Sequence, residues 1–149
     1  LGSDEVAIDL GCGSGVVGLH LALASPAMAV TCVDASYAAV SSAALTFREA
    51  FGDDHRAQFV AADGLDEIAP ETVDLVVTNP PFHADRARGD AVAWQFFKDA
   101  RRVLRPGGRV IVVGNRHLGY HAKVRRLFGN SEVVASNPKF VVVTAHKDP

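Results

Sequence analysis

Short apolar runs alternate with helix-length stretches along this chain, and that order leaves few folds open. Val6–Leu10 ends in a glycine-rich turn, and a helical stretch over Val16–Ala24 stops before Pro26. A second run, 29–33, closes on Asp34. Ser36 then stands where a cap is wanted for an alanine-rich helix reaching about Phe51, with Gly52 as its stop. The third run, 59–62, ends at Asp63, and the fourth, Val73–Thr78, runs into Asn79. A helix is expected over 91–104, closed by Arg105-Pro106-Gly107-Gly108 before a fifth strand at 110–113. After a helix over Tyr120–Phe128 come two strands, 132–135 and 140–145, separated only by Ser136-Asn137-Pro138-Lys139. Helical crossovers between the first five strands predict a parallel sheet covered on both faces. The last two strands are too close for a crossover and must be antiparallel. The expectation is an α/β fold with a doubly wound, mostly parallel sheet ending in an antiparallel hairpin. Ligands in such sheets bind at the carboxyl ends of the strands, where Asp9, Asp34, Asp63 and Asn79 all fall.

With 149 residues the chain reads as one domain, 1–149, with no apolar run of membrane length and no secretory signal. It opens Leu1-Gly2-Ser3-Asp4 without methionine, so a domain cut from a longer chain is expected. Cys12 and Cys32 have no CxxC spacing and read as reduced thiols of a cytoplasmic protein, neither staple nor metal site. Charge is split unevenly. Residues 1–85 hold 13 Asp+Glu against 2 Lys+Arg, while residues 86–149 hold 4 against 13. Such a split points to a polyanionic partner on one side of the molecule.

The turn after the first strand reads Asp9-Leu10-Gly11-Cys12-Gly13-Ser14-Gly15-Val16-Val17-Gly18. Gly13, Gly15 and Gly18 spell the dinucleotide fingerprint, but the first glycine after the strand is Gly11, and counting from it the third falls on Val16. An acidic residue followed by G-x-G-x-G resembles motif I of the Rossmann-like, class I methyltransferases that use S-adenosylmethionine. The resemblance implies a seven-stranded sheet, Asp9 near the cofactor's ammonium group, and the Gly11, Gly13 and Gly15 backbone against its methionine and ribose. Asp34, 19 residues after Gly15, offers two free acceptors to vicinal ribose hydroxyls. Asp63 matches the position that accepts from the adenine amino group.

Val73–Thr78 rises like a buried strand and stops on Asn79-Pro80-Pro81-Phe82-His83. Two prolines remove two donors and fix two φ angles, so neither strand nor helix continues. In the same superfamily Asn-Pro-Pro-(Phe/Tyr) resembles motif IV of enzymes that methylate a nitrogen conjugated to a planar system. The resemblance gives Asn79 and Pro80 as acceptors for the target NH2, with Asn79 beside the cofactor's methyl as well, and Phe82 as a stacking face. This chemistry requires no metal and no acid–base pair. Adenine N6, guanine N2 and protein glutamine N5 all remain open to such a turn.

Longer segments narrow the choice. The stretch from Asn79, with "GNRHLGY" at 114–120 and "NPKFVV" at 137–142, resembles the ribosomal RNA guanine-N2 methyltransferases. It is more like the member acting on large-subunit (23S) RNA than the one acting on small-subunit (16S) RNA. Family members carry a second, degenerate methyltransferase-like domain ahead of this one, which is absent from this sequence. The resemblance implies ribosomal RNA as partner, no membrane, and Pro81, His83, Arg86, Arg88 and Arg116 as candidate RNA contacts. Residues 84–90 are expected as a polar loop that closes over a base. His117, Lys123, Arg125 and Arg126 are expected to crowd the fifth strand's end and the next helix. Arg101, Arg102 and Arg105 read as a solvated helix face, and Trp94, Phe96 and Phe97 as core.

Overall fold

A computed structural model describes residues 5–149. Seven strands form one sheet in the order β3-β2-β1-β4-β5-β7-β6. The strands are β1 (Val6–Leu10), β2 (Ala29–Asp34), β3 (Gln58–Ala61), β4 (Val73–Thr78), β5 (Leu104–Asn115), β6 (Glu132–Ser136) and β7 (Phe140–His146). The first five run parallel, and β7 pairs antiparallel with both β5 and β6. The order reverses direction between β1 and β4, so loops leaving those two strands diverge and open a crevice.

Alternation along the strands makes two cores. Ile8 and Leu10 turn to one side, with Val76, Val110, Val112 and Val143, and meet Phe97 and Ala100 of α3 (Arg86–Val103) and Tyr120, Val124 and Phe128 of α4 (Tyr120–Phe128). Ala7 turns to the other side, with Val30, Cys32, Leu75 and Val77, and meets α1 (Val16–Ala24) and α2 (Tyr37–Phe51) through Leu19, Ala43 and Phe47. Phe47 and Phe97 are fully buried, and truncating either costs about 3–5 kcal/mol. Cys12 and Cys32 are both buried free thiols. None of the helices among the described residues is long and apolar enough to cross a membrane.

Several elements match the expected bounds, and Ser36 caps α2 as read: its side chain accepts from Ala39 N at 3.2 Å. Two expectations need correction. Helix α3 begins at Arg86, not 91, because Asp85 caps it, its Oδ1 accepting from Ala87 N and Arg88 N. The expected polar loop over 84–90 is thus largely the first turn of a helix. Strand β5 is longer than 110–113 because Arg105-Pro106-Gly107-Gly108 is a bulge inside it, not a turn ahead of it. Val73 faces Leu104 and Leu75 faces Arg109 across that bulge. The C-terminal strand's continuation pairs with it, Gly107 N donating to Lys147 O and Lys147 N to Gly108 O.

Candidate active site

The glycine turn is built to expose its backbone. Gly11, Gly13 and Gly15 all have positive φ, at 73°, 53° and 80°, a region that L side chains enter only with strain. Gly11 N and Cys12 N donate to Val33 O, which folds the turn over the end of β2. A Cβ on Gly15 would lie 2.8 Å from Ala43 Cβ, so α2 closes the turn from behind. Above Gly13 a Cβ would meet nothing within 4 Å, leaving that side open to a ligand. Gly18, set aside with the dinucleotide fingerprint, has a role of its own. Its amide donates to Asp9 Oδ2 at 2.9 Å, and a Cβ there would lie 2.8 Å from Cys32 Sγ.

Asp9 is buried beneath the turn at 3% exposure, so it does not stand open in the crevice. Burial pushes its carboxyl up to about 6, with the Gly18 N–H opposing the rise and the Asp34 charge adding to it. Asp34 differs from expectation in another respect: its oxygens are not free. Oδ2 accepts from Gly13 N at 3.0 Å and Oδ1 from Ser36 N at 2.9 Å. A carboxylate has about four lone-pair positions, so two remain, and the two amides fix where they point. Asp63 is exposed and lines a hollow with Ala61, Ala62 and Gly64 at the end of β3.

The proline turn begins where the glycine turn does. Leu10 and Thr78 are register partners on β1 and β4, and buried Thr78 Oγ1 donates to Leu10 O at 2.8 Å. A Cβ on Gly11 would lie 3.7 Å from Asn79 O, so the two turns touch. Asn79 is exposed and Pro80 buried. Phe82 leaves 84% of its surface open. Beside it lies a hollow lined by Pro81, Phe82, His83, Arg86, Leu118 and Tyr120. Tyr120 packs over Gly114, where a Cβ would overlap the ring; neither residue was a candidate from the sequence, because their spacing reads as strand end and helix core.

The candidate RNA contacts separate into two kinds. Arg86 Nη2 donates to His117 O at 3.0 Å and its Nε pairs with Asp90 at 3.3 Å, tying α3 to the Arg116–Leu118 turn. Lys123 joins the same knot, Nζ donating to Asp90 at 2.9 Å and to Leu118 O at 3.1 Å. The Lys123 hydrogen bond holds Asp90 below its ordinary range. Arg116 Nη1 donates to Asn137 O at 3.1 Å, and His83 Nδ1 accepts from Asp85 N at 3.0 Å. Of these, His83 and Arg86 line the hollow directly. Arg88 stands exposed. Arg102 and Arg105 are not simply solvated either: Arg102 reaches Leu65 O and Ile68 O, and Arg105 pairs with Asp74 at 2.7 Å. Arg125 and Arg126 lie in the last turn of α4.

The residues present fit the S-adenosylmethionine expected from the sequence: an open glycine backbone, an oriented carboxylate after β2, and an exposed one after β3. Among the described residues no group of three or more His, Cys, Asp or Glu side chains is gathered as for a metal ion.

The sequence matches the family described as "Methyltransferase small domain" over residues 3–144. It is 55% identical over 143 residues to the ribosomal RNA large subunit methyltransferase G of Streptomyces avermitilis, covering 96% of this chain and 37% of that protein. The protein of the same name from Pseudomonas putida is 50% identical over 147 residues, covering 99% and 39%. The chain thus spans under two-fifths of the length of these relatives. Among solved structures, a T. thermophilus 16S rRNA N2 methyltransferase in complex with AdoMet and guanosine superposes with a TM-score of 0.81 at 31% identity, over 96% of this chain and 37% of that one. A Pyrococcus furiosus methyltransferase shares the fold at 16% identity, TM-score 0.80, over 99% and 77%.

Proposed function

This chain belongs to the methyltransferase small domain family, and on that premise we propose that it moves a methyl group from S-adenosylmethionine to the N2 amino group of a guanine in large-subunit ribosomal RNA. One observation carries the reading. The Thr78–Leu10 hydrogen bond makes the cofactor turn and the Asn-Pro-Pro-Phe turn leave the sheet side by side, so a cofactor methyl and a target amine meet in one crevice.

On this reading the Gly11, Gly13 and Gly15 backbone holds the methionine and ribose, Asp34 accepts from the ribose hydroxyls, and Asp63 accepts from the adenine amine. Asp9 contributes negative charge from beneath the turn, near the ammonium. When bound, the cofactor supplies a methyl group on a sulfonium centre. The chain's residues deal with the acceptor. The guanine N2 lone pair is delocalised into the ring and is a poor nucleophile. Asn79 Oδ1 and the Pro80 carbonyl accept from the two N–H bonds, favour a more tetrahedral nitrogen and aim its lone pair for in-line displacement. Prolines on either side of the Pro80 carbonyl's peptide unit keep that geometry preorganised. Phe82 stacks on the flipped or unpaired base, worth about 1–3 kcal/mol, with Pro81 and His83 at the rim.

The relatives named for the large subunit favour that RNA. A small-subunit target is the second reading, favoured by the guanosine-bound 16S rRNA enzyme at 31% identity. Tritiated cofactor offered with naked 23S rRNA, naked 16S rRNA and a translation release factor separates these. Label recovered as N2-methylguanosine from 23S rRNA is expected. Label in 16S rRNA selects the second reading, and label in protein glutamine, or in none of the three, sinks the proposal. Asn79→Ala is expected to lower single-turnover transfer by about 100-fold or more with an unchanged melting temperature, since the Asn79 side chain is exposed.

A further inference from the structure

The basic half of the chain is only partly used by the crevice. Arg86, Arg116 and Lys123 are held in bonds to His117 O, Asn137 O and Asp90. What remains lies elsewhere. Helix α3 keeps Arg88, Gln95, Lys98 and Arg101 exposed along its outer side. Its two acids are withdrawn: Asp90 is paired with Lys123 and Arg86, and Asp99 is buried, accepting from Leu65 N and Gln95 Nε2. The neighbouring α4, Tyr-His-Ala-Lys-Val-Arg-Arg-Leu-Phe, contains no acid at all.

Both helices start at the crevice end and run towards the base of the sheet. Near the top, Arg88 sits next to Gly89, which lines the hollow beside Phe82. Midway, the Arg126 guanidinium lies 5.7 Å from the Trp94 ring centroid, bridging α4 to α3. At the base, Lys98 and Arg101 line a concave surface with Leu127 of α4, where the one acid, Glu71, is paired with Lys147 at 3.6 Å. Arg88 to Arg101 spans about 20 Å at 1.5 Å per helical residue. Among the described residues neither Lys98 nor Arg101 makes a side-chain hydrogen bond or ion pair.

Resting on the reading of the chain as acting on RNA, we propose that the α3–α4 face is a second RNA-binding surface. The backbone flanking the target nucleotide runs from the Phe82 hollow past Arg88 and the Arg126–Trp94 pair to Lys98 and Arg101. The contacts are to phosphates: the Arg88, Lys98 and Arg101 side chains, which make no hydrogen bond or ion pair among the described residues, give charge neutralisation with no base code. A half-buried Trp94 under Arg126 adds a flat surface midway. This surface sets affinity and leaves the chemistry at Asn79 and Pro80 alone.

The test is the exposed double variant Lys98→Glu/Arg101→Glu in this 149-residue chain, distant from the crevice. Filter binding to a naked 23S rRNA fragment between 50 and 200 mM salt gives the affinity and its salt slope. Each lost phosphate contact flattens the slope by about 0.7–0.9, so a slope smaller by about 1.5 or more is expected. A rise of about 10-fold or more in the dissociation constant at the lowest salt is expected with it. Calorimetric affinity for S-adenosylmethionine and the melting temperature should match the parent. The exchange Lys98→Arg/Arg101→Lys, which keeps charge, should bind as the parent does. Parent-like slope and affinity in the Glu/Glu variant overturn the surface, as does an absence of RNA binding by the parent. A flattened slope together with no methyl transfer to any RNA supports the surface and removes the proposed function instead.

Discussion

Asp9 puts a desolvated carboxyl against a single backbone donor, and the consequence is readable in pH. Its carboxyl is raised from 3.8 to about 6 in the fold, so the native state binds more protons than the unfolded chain between those values. Stability therefore falls as pH rises from about 4 to about 6, and the loss stays above that. Asn at position 9 still accepts from Gly18 N but has no charge to desolvate. The melting free energy of Asp9→Asn relative to the parent is expected to increase by roughly 2–3 kcal/mol across that window and then level off. A difference curve flat from pH 4 to 7 would mean the carboxyl is not desolvated. Asp34 shows the other side of residue-level reading. Its position at a strand end was legible, but the engagement of both its oxygens was not, because the Gly13 amide, 21 residues away, reaches it only once the glycine turn has folded.

Among the elements, α3 departs most from what its sequence suggests. Arg86-Ala87-Arg88-Gly89-Asp90 lacks a hydrophobic period and contains glycine, so local propensity argues for loop. Two side-chain effects override it: the Asp85 cap and the Arg86–Asp90 pair one turn apart. Gly89 then has a packing reason, since a Cβ there would lie 3.4 Å from His83 Cβ where the proline turn folds back. Asp85→Ala is expected to cost about 0.5–2 kcal/mol in urea unfolding. Because Arg86 and Gly89 line the hollow, it should also raise KM for RNA more than it lowers kcat. A loss confined to kcat would show that the first turn does not shape the hollow. Elsewhere the elements followed their local signals, with α1, α4, β1 and β4 matching to the residue. The bulge in β5 did not, because a glycine-proline stretch reads as a break until Lys147 pairs with it.

Across the whole molecule, the switch between β1 and β4 and the separation of charge are the two facts that matter for function. A cofactor held as proposed, by the loops after β1, β2 and β3, should stabilise the entire sheet. At 100 times its dissociation constant, S-adenosylmethionine is expected to add about 2.7 kcal/mol to unfolding, read as a raised melting temperature. Asp34→Ala should remove most of that gain; full retention would place the ribose elsewhere. By itself the sequence determined the α/β order, the antiparallel end, the glycine and proline turns, and the uneven charge. Periodicity, turn chemistry and composition are local properties that survive without coordinates. Tertiary structure alone decided that Leu10 and Thr78 are neighbours, that Asp9 is buried while Asp63 is exposed, and which arginines are spent. The Thr78–Leu10 and Arg86–His117 bonds join groups 68 and 31 residues apart at 2.8 and 3.0 Å, and only the packed sheet fixes which of many such encounters occurs.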